Sequence, residues 1–131
     1  MTALVVKTKG RGAIEITQQV NAVLAQQDAK LCHLFVAHTS ASLMITGNED
    51  PDLLLDMEDF LQTSVVDANP NYRHNGEGDF DMSGHIRSVL TGESKSIPVI
   101  DNKLALGKFQ GLFLYEHRAK GSNRKLVVTL L

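Results

Sequence analysis

Apolar positions come every second residue toward the two ends of this chain and every three to four residues in its middle, so strands flank a helical centre. Residues 4–7 and 13–16 read as two short strands, divided by the turn-like Lys9-Gly10-Arg11-Gly12. Thr17 is placed to cap a helix over about residues 18–27, with Val20, Val23 and Leu24 on one face. Residues 31–38 form the central strand. Alternation sends Leu31, His33, Phe35 and Ala37 one way and Cys32, Leu34, Val36 and His38 the other. The apolar run stops at His38-Thr39-Ser40 and resumes as Leu43-Met44-Ile45.

A second helix has the clearest signature: Asp50 as N-cap, Pro51 in the first turn, then Leu53, Leu54, Leu55, Met57, Phe60 and Leu61. Asp52, Asp56, Glu58 and Asp59 give it an acidic solvated face. Residues 67–79 follow without periodicity, and so long a loop in a small domain is usually functional. Asp81 then caps a helix over residues 82–90, with Met82, Ile86, Val89 and Leu90 turned inward and Gly92 just past its end. Strands fill the remainder at residues 96–100, 103–106, 110–116 and 125–131, with Pro98 marking an edge or a strand start.

The 131 residues predict one domain, spanning 1–131, with a substantial core. Thirteen basic residues against fifteen acidic ones leave a formal charge of −2, which argues against a general electrostatic grip on nucleic acid. No apolar run approaches the ~20 residues that span a bilayer, and the one at the N-terminus is too short for a signal peptide. The single cysteine, Cys32, lies in an apolar run as a core residue, which fits a reducing, cytoplasmic setting.

Chemistry concentrates where loops and helix starts meet strands. His38, His74 and His85 are three imidazoles that together make a metal site with an open fourth position, and zinc is the ion such donors favour. Glu77, Asp79, Asp81 and Glu116 are the carboxylates available to orient them or join them. The spacing is not local, so the same residues also read as three unrelated surface or cap histidines. Thr39, Ser40, Arg118, Arg124 and Lys125 supply donors suited to a phosphate. No glycine-rich strand–turn–helix loop is present, which makes nucleotide hydrolysis a poor reading.

The order of His38-Thr39-Ser40-Ala41-Ser42-Leu43, Asp50-Pro51, Tyr72-Arg73-His74, Gly84-His85-Ile86, Ile97-Pro98-Val99, Leu106-Gly107, Gln110-Gly111, Glu116-His117-Arg118 and Arg124-Lys125-Leu126-Val127-Val128 resembles the YjbQ family, also described as the secondary thiamine-phosphate synthase family. The resemblance covers almost the whole chain. It implies an α+β fold: a curved antiparallel, sandwich-like (jelly-roll-like) sheet with two to three helices against it. It implies a homotrimer with a histidine-lined pocket near the subunit seam, holding a divalent metal (zinc or magnesium) or an anion. The activity it implies is a transferase reaction, thiamine-phosphate synthesis, in which a pyrimidine diphosphate joins a thiazole phosphate and pyrophosphate leaves. His38, His74 and His85 fall on the family's histidines. Thr39, Ser40 and Asn48 fall on its polar pocket positions, and Glu116, Arg124 and Lys125 on its C-terminal ones. Two positions depart from the pattern: Gly47 stands where a Glu is common, and Phe109 where a Trp is common.

The rival reading is a non-catalytic trimer whose pocket only holds a metal or metabolite. One outcome follows from strand phase alone. His33 faces away from His38, so His33→Gln leaves the metal content of the purified protein unchanged; loss of metal in that variant would show the phase to be reversed.

Overall fold

The computed structural model describes residues 1–131 as a mixed α+β fold with a curled antiparallel sheet, a second sheet and three helices. Strands β1 (Thr2–Lys7), β8 (Asn123–Leu130), β3 (Leu31–Val36), β5 (Ser94–Ile100) and β6 (Lys103–Leu104) form one sheet in that order. Strands β2 (Gly12–Glu15), β7 (Gln110–Glu116) and β4 (Ala41–Gly47) form the other. Every pairing is antiparallel.

Strand phase decides where the core lies. Cys32, Leu34 and Val36 of β3 and Leu126 and Val128 of β8 point inward to meet Leu43 of β4 and Leu112 and Leu114 of β7. Helix α1 (Thr17–Leu24) adds Val20 and Leu24 to the same core. The other face of β4 and β7 presents Met44, Phe113 and Tyr115 to Leu61, Leu54 and Met57 of helix α2 (Pro51–Ser64). The middle strand of the smaller sheet is thus covered on both faces, which is why Leu112–Tyr115 is apolar without alternation. Cys32 is a core residue, and burial pushes its thiol up to about 11.

Local chemistry sets the turns. Asp50 caps α2 by accepting from the Asp52 amide at 3.0 Å, with Pro51 at the first helical position. Asp101 and Asn102, both left-handed (φ 53° and 61°), make the two-residue turn that pairs Ile100 with Lys103. Gly121 is obligatory, because a Cβ there would lie 2.0 Å from the Thr8 carbonyl oxygen. Thr17 caps nothing: its hydroxyl donates to Glu15 (2.9 Å) and accepts from the Leu112 amide (2.9 Å), and Ile16 takes the cap position. No helix is long and apolar enough to cross a membrane.

Helix α3 (Asp81–Thr91) reverses the face expected of it. Its buried residues are Asp81, Ser83, Gly84 and Arg87, whereas Val89 and Leu90 are 81% and 64% exposed. Periodicity located the apolar stripe correctly, but the surface under the helix is polar. Its inner face meets the start of β4 and the end of β7, where Ser88 donates to the Ala41 carbonyl (3.2 Å) and Thr91 donates to the Ser42 hydroxyl. Asp81 does not cap this helix either; Phe80 precedes it without a side-chain bond, and the Asp81 carboxylate is engaged elsewhere.

Candidate functional site

Asp81 opens α3 with its side chain almost entirely buried, and His85 follows one turn later on the same face. One carboxylate oxygen, Oδ2, faces Nε2 of His85 at 3.2 Å and Nε2 of His74 at 2.7 Å. The other, Oδ1, accepts from Arg118 at 2.9 Å. Single donor atoms from His74, Asp81 and His85 all lie within 4.8 Å of one another. Burial alone would raise the Asp81 pKa, but His74, His85 and Arg118 outweigh it and hold the carboxyl below its usual range.

His74 comes from the loop after α2, and that loop is braced. Asp67 at its start takes a two-pronged bond from Arg11 (2.8 and 2.9 Å), and the Ala68 amide donates to the Asp79 carbonyl (2.9 Å). Tyr72 donates to the Val66 carbonyl at 2.8 Å. Phe80 lies under the Arg11 guanidinium, 4.5 Å from ring centre to cation. The thirteen aperiodic residues therefore make a shaped wall, and a cavity of about 470 Å³ opens against it. Glu77, Asp79, Phe80, Asp81, Arg118 and Lys120 line it.

Hydrogen bonds fix two tautomers. Nδ1 of His85 lies 3.1 Å from the Thr39 carbonyl oxygen, which can only accept, so Nδ1 carries hydrogen. A neutral His85 then presents the Nε2 lone pair to a carboxylate oxygen, and only a proton or a metal cation between them makes that contact attractive. Nε2 of His38 accepts from the Lys125 amide at 2.7 Å, which leaves the hydrogen of the neutral ring on Nδ1. Burial and the nearby Arg124 cation lower the His38 pKa, so the neutral form is favoured. His38 thus has its lone pair spent on β8, and the group formed around the metal-capable atoms is His74, Asp81 and His85.

The remaining predicted residues divide by place. Thr39 is exposed beside His85, and Lys125 is exposed beside His38. Ser40 is buried and accepts from Arg124 through its hydroxyl (2.9 Å) and carbonyl (3.2 Å). Glu116 and Arg124 are spent on each other inside the molecule, and Thr8 (2.6 Å) and the Arg118 amide (3.1 Å) complete the carboxylate. Burial would raise the Glu116 pKa, but Arg124, Thr8 and the Arg118 amide lower it overall. Asn48 bonds Glu15 at 3.1 Å beyond the far end of β4, roughly 25 Å along the strand from Ser40. Gly47 and Phe109, the two departures from the family pattern, sit at that distant end as well.

A family model described as UPF0047 protein YjbQ-like matches residues 2–131. A UPF0047 protein of Synechocystis is 42% identical over 127 residues, covering 95% of this chain and 86% of that one. The UPF0047 protein YjbQ of Escherichia coli O157:H7 is 39% identical over 130 residues, covering 97% and 94%. Among solved structures, a conserved hypothetical protein of Thermus thermophilus superposes over the whole of both chains with a TM-score of 0.92 at 31% identity. An uncharacterized conserved protein of Clostridium acetobutylicum does so with 0.89 at 28%. None of these relatives is named for a reaction or a ligand.

Two residues matter more to the site than sequence reasoning allowed. Asp81 stood as one of four available carboxylates, and its four-residue spacing to His85 was outweighed by a stronger cap signal. His117 stands in the sequence only as part of the Glu116-His117-Arg118 stretch, with no local pattern to set it apart from the other four histidines. It is fully buried, bonds the Ser42 hydroxyl through Nε2 at 2.8 Å and stacks on Tyr115 with ring centres 4.6 Å apart. Burial first, then the Arg87 and Arg11 cations, push its pKa down to about 3. An unfolded histidine titrates near 6.5, so between about pH 6.5 and 3 the unfolded chain binds the proton that the folded chain refuses. Stability from neutral His117 is therefore complete above 6.5 and drains as pH falls. Denaturant titrations at pH 7 and pH 5 will show a gap smaller by about 2 kcal/mol in His117→Gln than in the unaltered chain; equal gaps would contradict the assignment.

Proposed function

The chain belongs to the YjbQ-like UPF0047 family, and on that premise we propose that it holds a divalent metal ion on His74, Asp81 and His85 and there binds a phosphorylated small molecule. The supporting observation is the pair of imidazole Nε2 atoms set against one buried carboxylate oxygen, with the His85 tautomer fixed from behind by the Thr39 carbonyl. Metal-binding histidines are characteristically held in this way by a backbone carbonyl. Two nitrogens and one oxygen are a borderline donor set, which suits zinc better than magnesium.

Charge supports a metal-dependent anion site. Glu77, Asp79 and Asp81 outnumber Arg118 and Lys120 around the cavity, so a phosphate is repelled unless a divalent cation accompanies it. Bound there, the ion would neutralise phosphate charge and stabilise a departing pyrophosphate. Arg118, aimed by Asp81, and Lys120 donate to phosphate oxygens, and Phe80 offers a flat wall. Thr39 and Lys125 serve the rim, and the Nδ1–H of His38 is a further donor. Ser40, Glu116 and Arg124 act from behind by holding the 38–40 segment. The family resemblance extends this to thiamine-phosphate synthesis, the joining of a pyrimidine diphosphate to a thiazole phosphate.

Elemental analysis followed by turnover with and without chelator tests the reading. The purified protein carries zinc, Asp81→Asn lowers metal affinity about 10-fold or more, and product formation stops with chelator. Metal without turnover would leave a binding protein; absence of metal affinity would end the proposal.

We also propose a homotrimer, supported by the outward stripe of α3, where Val89 and Leu90 lie open beside the ligand turn. Light scattering of the unaltered chain then gives the mass of three copies, and Val89→Asp gives that of one. A one-chain mass for the unaltered protein would rule out the trimer.

A further inference from the structure

Helix α3 carries two of the three proposed ligands, yet none of its fully buried side chains is apolar, and Met82 and Ile86 are only half-buried. Its inward residues are Asp81, Ser83, Gly84 and Arg87, so directional bonds locate it in place of shape-filling contact. Ser83 donates to Asp67, Ser88 to the Ala41 carbonyl and Thr91 to Ser42. The strongest tie is Arg87, whose Nη1 donates to both carboxylate oxygens of Glu58 on α2, at 2.8 and 3.1 Å. Arg87 has no exposure at all, and its Nε and Nη2 find no protein acceptor. Glu58, with 22% of its side chain exposed, is the counter-charge of that guanidinium and also accepts from the Tyr115 hydroxyl.

We propose that Glu58 is a positioning residue for the metal centre: through Arg87 it sets where α3 lies, and so whether His85 and Asp81 meet His74. This rests on the metal reading above. A buried guanidinium stripped of its carboxylate is far less tolerable than the pair, so without Glu58 it moves toward water. Arg87 follows His85 by two residues, and its movement turns the ligand-bearing end of α3. His74 does not follow in full, because its loop is held chiefly by the Arg11–Asp67 ion pair, which α3 joins through Ser83. The convergence of two nitrogens on one oxygen is then lost, although Glu58 touches none of the three ligands.

Titration of the full chain with Co²⁺, read by calorimetry and by the visible absorption of the bound ion, tests this. The unaltered chain takes up Co²⁺, and Glu58→Gln binds it about 10–100-fold more weakly at the same stoichiometry. Combining Glu58→Met with Arg87→Met removes both charges while keeping the volume, and returns the affinity close to that of the unaltered chain. The absorption envelope of bound Co²⁺, which reports ligand geometry, also changes in folded Glu58→Gln, whereas a loss of stability alone would leave the envelope of the folded protein unaltered. If Glu58→Gln does not fold, Tyr115→Phe, which takes one bond from Glu58 and leaves the ion pair, weakens Co²⁺ binding by a smaller factor. Unchanged affinity in the folded single variants, or equal loss in the single and double variants, overturns the positioning role and leaves the metal centre standing. Failure of the unaltered chain to bind Co²⁺ overturns the metal centre and this role with it.

Discussion

One ion pair inside the molecule, Glu116 with Arg124, governs how the two sheets meet. Glu116 ends the middle strand of the smaller sheet, and Arg124 begins the second strand of the larger one. Thr8, just past β1, bonds the same carboxylate, and Ser40, just before β4, receives the same guanidinium. Four chain segments thus share one pair of buried charges. Removing one member of such a pair leaves the other uncompensated and typically costs about 3–5 kcal/mol. A hydrophobic replacement of both would fill the volume but would not hold Ser40, and with it the neighbouring Thr39 carbonyl that orients His85.

The site is built outward from that junction by polar links. Glu116 accepts the Arg118 amide, Arg118 reaches Asp81, and Asp81 gathers His74 and His85. A second set of charges, Arg11 with Asp67 and Arg87 with Glu58, fastens the loop and helix that bring the histidines in. The apolar core shapes the barrel-like body, whereas ion pairs aim the chemistry.

That division explains what the sequence disclosed. Where burial is apolar, the pattern was sufficient: Gln110–Glu116 was bounded correctly, Asp50-Pro51 marked the start of α2, and β3 kept its phase, with Cys32, Leu34 and Val36 inside. Where burial is polar, it was not. The stripe Met82, Ile86, Val89 and Leu90 was visible, but periodicity says which residues share a face and not what that face meets. Histidines in a long loop and at a helix start are conspicuous, so His74 and His85 stand out in the sequence, and the fold sets both against Asp81. The hydrogen bond that occupies His38 joins residues 87 positions apart, and no local spacing encodes it. Arg124 and Glu116 looked like phosphate-site residues because nothing in the sequence distinguishes a buried charge from a solvated one.

The placement of Cys32 carries a practical corollary. The chain's one thiol is sealed in the core with no exposure, and burial keeps it protonated. Thiol-directed reagents meet a folded molecule that is chemically silent and an opened one that reacts. The protein therefore carries a native reporter of its own global opening. A cysteine introduced at the rim of the histidine group would be the sole position to take a label while the fold persists.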